Sequence, residues 1–254
     1  MSCLAVHRRP IGARQTDRMA RILIASGGPP YAHDHAAAAE ALTTLLNDAG
    51  HEIVAVTTHP RELPAALVAA APELIVMHML WWRMLADRYD DLRADWAYAS
   101  TPGVRASIEG FVRRGGGLVA LHTSTICFDD WAEWGDLLGA QWNWERSFHP
   151  PLGPVGVRFA TVDHPLTRGL DDFATTDEVY ANLDIRPDIE PLAWGRHLDG
   201  SEHPVLWLRP CGDGRVAHLG IGHDAGAIRQ PTTTELIWRS VAWAVGSDEA
   251  SSDG

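Results

Sequence analysis

The sequence GGGLVALH, residues 115–122, decides the fold class of this chain. Its glycines end a preceding helical segment, and LVAL is a short apolar run of the kind that forms a strand buried on both faces of a parallel sheet. In open parallel α/β sheets, ligands bind beyond the carboxyl ends of the strands. His122 therefore stands where such a fold builds its active site, at a position that holds neither cysteine nor serine.

The segments on either side of this stretch alternate between buried strands and helices. Strand-like runs at 21–26, 51–58 and 72–79 precede it, with helical segments between them. This alternation predicts right-handed βαβ crossovers and a mainly parallel central sheet covered on both faces. Beyond residue 150, four further runs separated by Pro, Gly and Asp predict added, partly antiparallel strands before a closing helix at 232–246: VGVRFATV, PLAWGRHL, HPVLWLRP and GRVAHLGI.

Length and composition indicate one domain. The chain has 254 residues, of which 46% are hydrophobic, enough for one sizeable core. The absence of a linker predicts a single domain over 21–246, with a disordered extension at 1–20 and a disordered tail at 247–254. The three cysteines form no CxxC pair, so we expect neither a disulfide framework nor a thiolate zinc site, and a cytoplasmic location.

The net charge of −12 limits the partners of the protein. It disfavours nucleic acid and anionic membranes. No apolar run approaches the roughly 20 residues that span a bilayer, so we expect no membrane segment. A small molecule is the expected partner.

Histidines dominate the polar residues that follow the predicted strand ends, at positions 33, 35, 78, 122 and 223. Neutral imidazoles with a carboxylate suit a divalent transition metal, most often zinc, and the same groups could act as general acids and bases. We predict a metal site formed by His33, His35, His122 and His223, with Glu178 of TTDEVYAN as a further candidate ligand. A structural role for each single histidine is the alternative, and no HExxH spacing is present.

Two other kinds of site find little support. GGPP after the first strand lacks both GxGxxG and GxxxxGK[ST], and its prolines remove backbone donors, so we expect no nucleotide cofactor. No GxSxG elbow occurs, and Cys127 lies five residues past a strand end. Nucleophilic serine or cysteine catalysis is therefore disfavoured.

Seven tryptophans lie in or beside the loops over the predicted crevice: Trp81, Trp82, Trp96, Trp131, Trp134, Trp142 and Trp144. Aromatic faces could stack on sugar rings, or the side chains could simply pack the loops against the sheet. The connection at 80–101 is too long for an ordinary βα loop, which predicts a lid, a small inserted helix or a subunit interface of a homo-oligomer.

Several motifs, in this order, resemble the trehalose-utilisation (ThuA-like) family: SGGPPYAHDH, FVRRGGGLVALHTS, LLGA followed by FHPP, DHPLTRGL, DEVY, HPVLWL and GRVAHLGIGHD. The resemblance covers about residues 21–246. It implies a three-layer, flavodoxin-like fold similar to class I glutamine amidotransferases. The position of their nucleophile is His122 here, so we expect no amidotransferase activity.

The resemblance also implies a role in carbohydrate catabolism. We expect a metal-assisted hydrolase, lyase or isomerase acting on trehalose or a related keto-sugar. The candidate catalytic residues are His122, Glu178 and His149, and the candidate substrate-binding residues are Trp81, Trp82, Tyr180 and His164. The alternative is a non-catalytic carbohydrate-binding or regulatory module on an amidotransferase-like fold.

Overall fold

The computed structural model describes residues 18–246, which form a large mixed sheet flanked by helices. The strands are β1 (Arg21–Gly27), β2 (Glu52–Thr57), β3 (Leu74–Met79), β4 (Gly117–Leu121), β5 (Ala140–Gln141), β6 (Gly153–Phe159), β7 (Phe173–Asp177), β8 (Asp184–Ile185), β9 (Ala193–Arg196), β10 (Glu202–Cys211) and β11 (Gly214–Leu219). The α-helices are α1 (His35–Asp48), α2 (Leu63–Ala70), α3 (Asp90–Trp96), α4 (Pro102–Arg113), α5 (Ala132–Leu138), α6 (Ala225–Ile228) and α7 (Pro231–Ala244).

The main sheet has nine strands in the order β2-β1-β3-β4-β11-β10-β9-β6-β7. The first five are parallel to one another, and each of the remaining four is antiparallel to its neighbour. The α/β class and the added antiparallel strands predicted from the sequence are confirmed. One of the four later runs differs: GRVAHLGI forms β11, which extends the parallel part beside β4.

Both faces of the parallel strands are buried, as their continuous apolar runs predict. In β1, Ile22 and Ile24 belong to one hydrophobic core, whereas Leu23 and Ala25 belong to another. Because successive strand residues point to opposite faces, these two cores lie on the two sides of the sheet. Helices α1 and α7 contribute to the first core, and α4 and α5 to the second.

Two glycines at the start of β4, Gly115 and Gly117, serve the fold in different ways. Gly115 has φ +106°, a left-handed conformation that lets the chain leave α4. Gly117 begins β4, where a Cβ atom would lie 2.8 Å from the carbonyl oxygen of Ala244 at the end of α7. The closing helix can therefore approach the strand only because no side chain is present there.

The connection at 80–101 contains α3 and is bound closely to the sheet. The amide of Tyr98 donates to the carbonyl of Trp82 (2.8 Å), and the amide of Phe128 donates to that of Trp81 (2.9 Å). The Trp81 side chain is buried in the core that also contains Trp131 and Trp134. These three indoles therefore pack the loops against the sheet, which is the structural alternative considered above.

The described chain begins before the predicted start of the domain at residue 21. Ala20 is fully buried, and its amide donates to Nδ1 of His51 (3.2 Å), so the domain includes residues that we had assigned to the extension. Residues 1–17 and 247–254, the rest of the predicted extension and tail, lie outside the described residues. Within residues 18–246, no helix has the length and apolar character required to cross a bilayer.

Candidate functional site

Five histidine side chains meet at the carboxyl ends of the parallel strands. They are His33 in the loop after β1, His35 at the start of α1, His78 in β3, His122 directly after β4 and His223 after β11. The ring centroid of His33 lies 4.3 Å from that of His223, 5.3 Å from that of His122 and 5.6 Å from that of His35. The clustering expected from the strand ends is therefore present.

Asp34 explains how two histidines of one short segment reach the same cluster. Its carboxylate caps α1 by accepting from the amide of Ala37 (2.9 Å). This cap fixes the start of the helix between His33 and His35. The Nδ1 of His35 then donates to the carbonyl oxygen of His78 (3.1 Å), which ties α1 to the end of β3.

His122 occupies a strained turn. Its φ is +36°, a region that side-chain-bearing residues rarely adopt, and it begins a short 3-10 helix immediately after β4. The hydroxyl of Ser124 supports the turn, because its single proton can be donated to the carbonyl oxygen of Leu121 (2.9 Å) or to that of Met77 (3.1 Å). A sharp strand-to-helix turn of this kind exposes the nucleophile in elbow-type enzymes, and here it presents an imidazole.

Three of the imidazoles could hold one metal ion. His33, His122 and His223 each offer a ring nitrogen, and these three atoms lie within 4.8 Å of one another. Nε2 of His122 and Nδ1 of His223 are 3.2 Å apart. Two ligands of a tetrahedral zinc ion with bonds of about 2.0–2.1 Å would be roughly 3.3 Å apart. His35 and Glu178, also considered as ligands, lie outside this group of three.

Burial holds most of the cluster in the neutral form that metal binding requires. Desolvation lowers the pKa of His33 to about 3 and that of His122 well below its usual value, and neighbouring histidines add to both effects. Nδ1 of His33 is buried without a hydrogen-bond partner in the described part of the chain. Buried polar atoms normally find a partner, so this nitrogen fits a ligand that accepts a lone pair.

His35 and His78 lie behind the three-histidine group. Desolvation lowers the pKa of His35 to about 4 and that of His78 well below its ordinary value. His78 is completely buried, and neither of its ring nitrogens has a hydrogen-bond partner among residues 18–246. Its ring stacks at 6.5 Å from that of His122. These two residues therefore pack against the three-histidine group.

Asp177, the last residue of β7, holds the β11 end of the cluster in place. Its carboxylate accepts from the amides of Gly222 (2.7 Å) and Glu178 (2.9 Å) and lies 3.6 Å from Nδ1 of His122. Desolvation raises the pKa of Asp177 to about 6, although these backbone hydrogen bonds oppose the shift. The sequence predicts Glu178 alone as the carboxylate of the site. The alternating burial of FATTD places Asp177 on the buried side of β7 and is the signal that points to it.

Glu178 joins the cluster to a more exposed histidine. Its Oε2 lies 3.4 Å from Nδ1 of His223 and 3.3 Å from Nδ1 of His149. Desolvation favours the neutral acid, but the hydrogen bond to His223 and the charges of His149 and His223 hold the pKa of Glu178 below its usual value. The same hydrogen bond outweighs desolvation at His223 and raises the pKa of that imidazole, so Nδ1 of His223 must give up its proton before it can hold a metal ion.

Tyr180 forms the wall between His122 and His149, with ring centroids 4.5 and 5.5 Å away. Desolvation and the nearby Glu178 and Asp177 raise its pKa well above the usual value, so the phenol is neutral. Glu178 and Tyr180 therefore both contact His149.

The remaining predicted residues lie elsewhere. Trp81 packs in the core, with its ring 4.3 Å from that of His59. Trp82 is buried behind Trp144, whose ring centroid is 6.2 Å away. His164 lies in the turn between β6 and β7, where its Nδ1 accepts from the amide of Leu166 (3.1 Å). The described contacts do not include these three side chains in the histidine cluster.

The fold and site define an α/β protein with a mixed nine-stranded sheet and a buried histidine–carboxylate cluster at the ends of its parallel strands. The model of the ThuA family, described as trehalose utilisation, matches residues 21–244. The chain belongs to this family. No curated protein is similar enough in sequence to match.

Three solved structures share the fold at low sequence identity. A ThuA-like protein from Parabacteroides merdae is 17% identical, with a TM-score of 0.71 over 90% of this chain and 91% of that chain. A ThuA-like protein from Bacteroides uniformis is 19% identical, with a TM-score of 0.65 over 91% and 93%. A cytoplasmic protein from Salmonella typhimurium is 14% identical, with a TM-score of 0.55 over 90% and 98%.

Proposed function

We propose that this protein is a metal-assisted enzyme of carbohydrate catabolism that acts on trehalose or a related keto-sugar derivative by hydrolysis, elimination or isomerisation. The observation that carries the proposal is the buried group His33, His122 and His223, whose ring nitrogens lie within 4.8 Å of one another. Membership of the trehalose-utilisation family supports the substrate class.

The three imidazoles would hold one divalent ion, most readily zinc, because neutral histidines are its common ligands. Three protein ligands with an open fourth position are typical of catalytic rather than structural zinc sites. When bound, the ion would polarise a carbonyl or hydroxyl oxygen of the substrate. The low pKa of His33 supports binding at neutral pH, because no proton must first be displaced from it.

Glu178 and His149 are the residues that we propose to move protons. Glu178 contacts both His223 and His149, and the exposed side of this pair is His149, whose side chain is 38% accessible. A carboxylate held ionised beside an accessible imidazole can accept a proton from a substrate hydroxyl and pass it to the solvent side. Asp177 would position His223 through the backbone rather than touch the substrate.

The proposal also includes the layering of the fold, the cellular location and the partner of the protein. The strand order β2-β1-β3-β4-β11 supports the flavodoxin-like layering expected from the family resemblance. The description of one structural relative as a cytoplasmic protein supports a cytoplasmic location. A small sugar or sugar derivative is the proposed partner.

Metal analysis of protein purified without a histidine tag tests the central claim. We expect about one equivalent of a divalent metal in the wild-type protein and its loss in the variants His122→Ala and His223→Ala. The matched control is His203→Ala, because this histidine lies in β10, away from the cluster. A wild-type protein that takes up no metal after incubation with zinc would overturn the metal assignment.

A screen of keto-sugars and disaccharides then separates the enzyme from a binding module. Turnover that depends on His122 supports the enzyme. Thermal stabilisation by a sugar without turnover would instead support the non-catalytic carbohydrate-binding alternative.

A further inference from the structure

A second, open cleft lies beside the histidine cluster. Its volume is about 400 Å³, and it is lined by Arg83, Asp129, Asp130, Gln141, Trp142 and Trp144. Arg83 comes from the connection at 80–101, whereas the other residues come from the segment around α5 and β5. The size falls in the usual range of small-molecule sites.

One wall of the cleft is a supported aromatic surface. The indole of Trp144 stacks at 6.2 Å on that of Trp82, and 42% of Trp144 remains exposed. Trp142 stands edge-on to Trp144 at 6.1 Å. Because Trp82 is buried beside it, the exposed part of Trp144 rests on an aromatic ring of the protein and offers a flat apolar surface to a ligand.

The cleft is also lined by polar groups whose charges cancel. The backbone amide and Nε of Arg83 donate to the carboxylate of Asp129 (2.9 and 3.3 Å). Asp130 accepts from Nη2 of Arg105 (2.7 Å). Each carboxylate has its own cation, so the cleft has no excess charge to attract a phosphate or an acid. Fixed donors and acceptors beside an indole suit the hydroxyl groups and apolar face of a neutral sugar ring.

Aromatic contacts connect this cleft to the proposed catalytic site. The ring of Trp142 lies 5.2 Å from that of Tyr180 and 6.1 Å from that of His149. Tyr180 in turn contacts His122 at 4.5 Å. A ligand lying against Trp144 is therefore a close neighbour of the residues proposed to act on the substrate.

We propose that the cleft is a binding subsite for the second ring of a neutral glycoside, with Trp144 as the stacking platform and Arg83 as the hydrogen-bond donor. The inference rests on the proposed function for the location of the first, reacting ring. The substrate would then be a two-ring glycoside that spans the histidine cluster and the aromatic cleft. Trp82 would position Trp144 by packing behind it.

Calorimetric titration of the protein with trehalose, maltose and methyl α-glucoside tests the subsite by binding alone. We expect at least one of the two-ring ligands to bind, and Trp144→Ala to weaken that binding about 10-fold while leaving one-ring binding unchanged. Trp144→Phe should recover most of the affinity. Arg83→Lys, which keeps the charge beside Asp129 but loses the planar fork of donors, should weaken two-ring binding several-fold.

Trp194→Ala is the matched control, because this tryptophan lies in β9 beneath the guanidinium of Arg158 and does not line the cleft. It should leave the affinity unchanged, and thermal unfolding of each variant checks that the fold is intact. Equal affinity of wild type and Trp144→Ala, or no binding of either two-ring ligand at about 10 mM, would overturn the subsite.

The same titrations in a His122→Ala background separate the two proposals. An effect of Trp144→Ala that persists there supports the subsite even if no metal is found. If metal binding and turnover depend on His122 but the affinity for two-ring ligands does not depend on Trp144, the subsite is wrong and the proposed function stands.

Discussion

Nε2 of His122 and Nδ1 of His223 lie 3.2 Å apart, although 101 positions separate them in the chain. The contact follows from the parallel pairing of β4 with β11, in which Leu121 is opposite Leu219. Both strands end at the same edge of the sheet, so the residues that follow them meet. The position of His122 in the site is therefore set by the pairing of two strands of the sheet.

The strained backbone of His122 gives the first prediction. In metal-free protein, His122→Gly should be more stable than His122→Ala by about 1 kcal/mol, because glycine adopts a positive φ without the cost that alanine incurs. Urea unfolding in the presence of a chelator measures the difference. At Leu121, whose φ is −104°, the order should reverse, with glycine less stable than alanine. Equal free energies of unfolding for the two His122 variants would show that the backbone at residue 122 is not strained.

Asp177 should affect metal affinity through the backbone of its neighbours. Its Oδ2 accepts from the amide of Gly222 (2.7 Å), the residue that precedes His223. Asp177→Ala should lower stability by about 1–3 kcal/mol and weaken zinc binding about 10- to 100-fold, measured by competition with a chromogenic chelator.

Asp172→Ala is the control for Asp177, because this carboxylate also accepts from a backbone amide, that of Phe159 (2.9 Å). It should lower stability but leave zinc affinity unchanged. If both variants weaken zinc binding equally, the effect is one of general stability and the positioning role of Asp177 is wrong.

Glu178 should be required for turnover and not for metal loading. Glu178→Gln removes the carboxylate that contacts His149 and His223 but keeps the shape of the side chain. We expect kcat on a sugar substrate to fall about 10²- to 10⁴-fold with a nearly unchanged metal content. Glu202→Gln, which alters a surface pair with Arg158, should have wild-type kcat. A Glu178→Gln enzyme with full activity would exclude this residue as the base.

His218 gives a prediction about pH. It is buried in β11 against Trp207, with ring centroids 4.2 Å apart, and desolvation lowers its pKa from 6.5 to about 3. Between these values the unfolded chain binds a proton at His218 and the folded chain does not, so stability falls as the pH falls. His218→Leu should make this acid-induced loss shallower by up to about 1.4 kcal/mol per pH unit in urea unfolding.

Leu219→Ala provides the comparison for His218, because the neighbouring residue is equally buried and does not titrate. It should lower stability by a similar amount at every pH. Parallel stability–pH curves for wild type and His218→Leu would show that His218 does not contribute to the acid sensitivity.

Much of the fold could be predicted because parallel strands buried on two faces need uninterrupted apolar runs. The stretches that became β1, β3 and β4 are of this kind, and the histidines beyond them were identified as candidates for that reason. Strand β7 was not identified, because FATTD is short and alternates in burial on the antiparallel side of the sheet. Without β7, the role of Asp177 could not be inferred.

The tryptophans show where residue type alone is insufficient. Trp82 and Trp144 have the same chemistry, yet one is 4% exposed and the other 42%. Which of them faces a ligand depends on how the connection at 80–101 lies on the segment around β5, and this is a matter of packing between distant parts of the chain. The number of tryptophans in the loops could therefore predict that an aromatic side chain contacts a ligand, but not which tryptophan does so.

The α/β class and the position of His122 after GGGLVAL follow from periodicity and local turns, which depend on neighbouring residues, whereas the family follows from the order of the motifs. Which histidines form a group depends on the folded structure. The ring nitrogens of His33, His122 and His223 come within 4.8 Å of one another, whereas His35, two residues from His33, turns instead to the carbonyl of His78. Distances between strand ends are set by strand order and register, and these follow from the packing of the whole sheet.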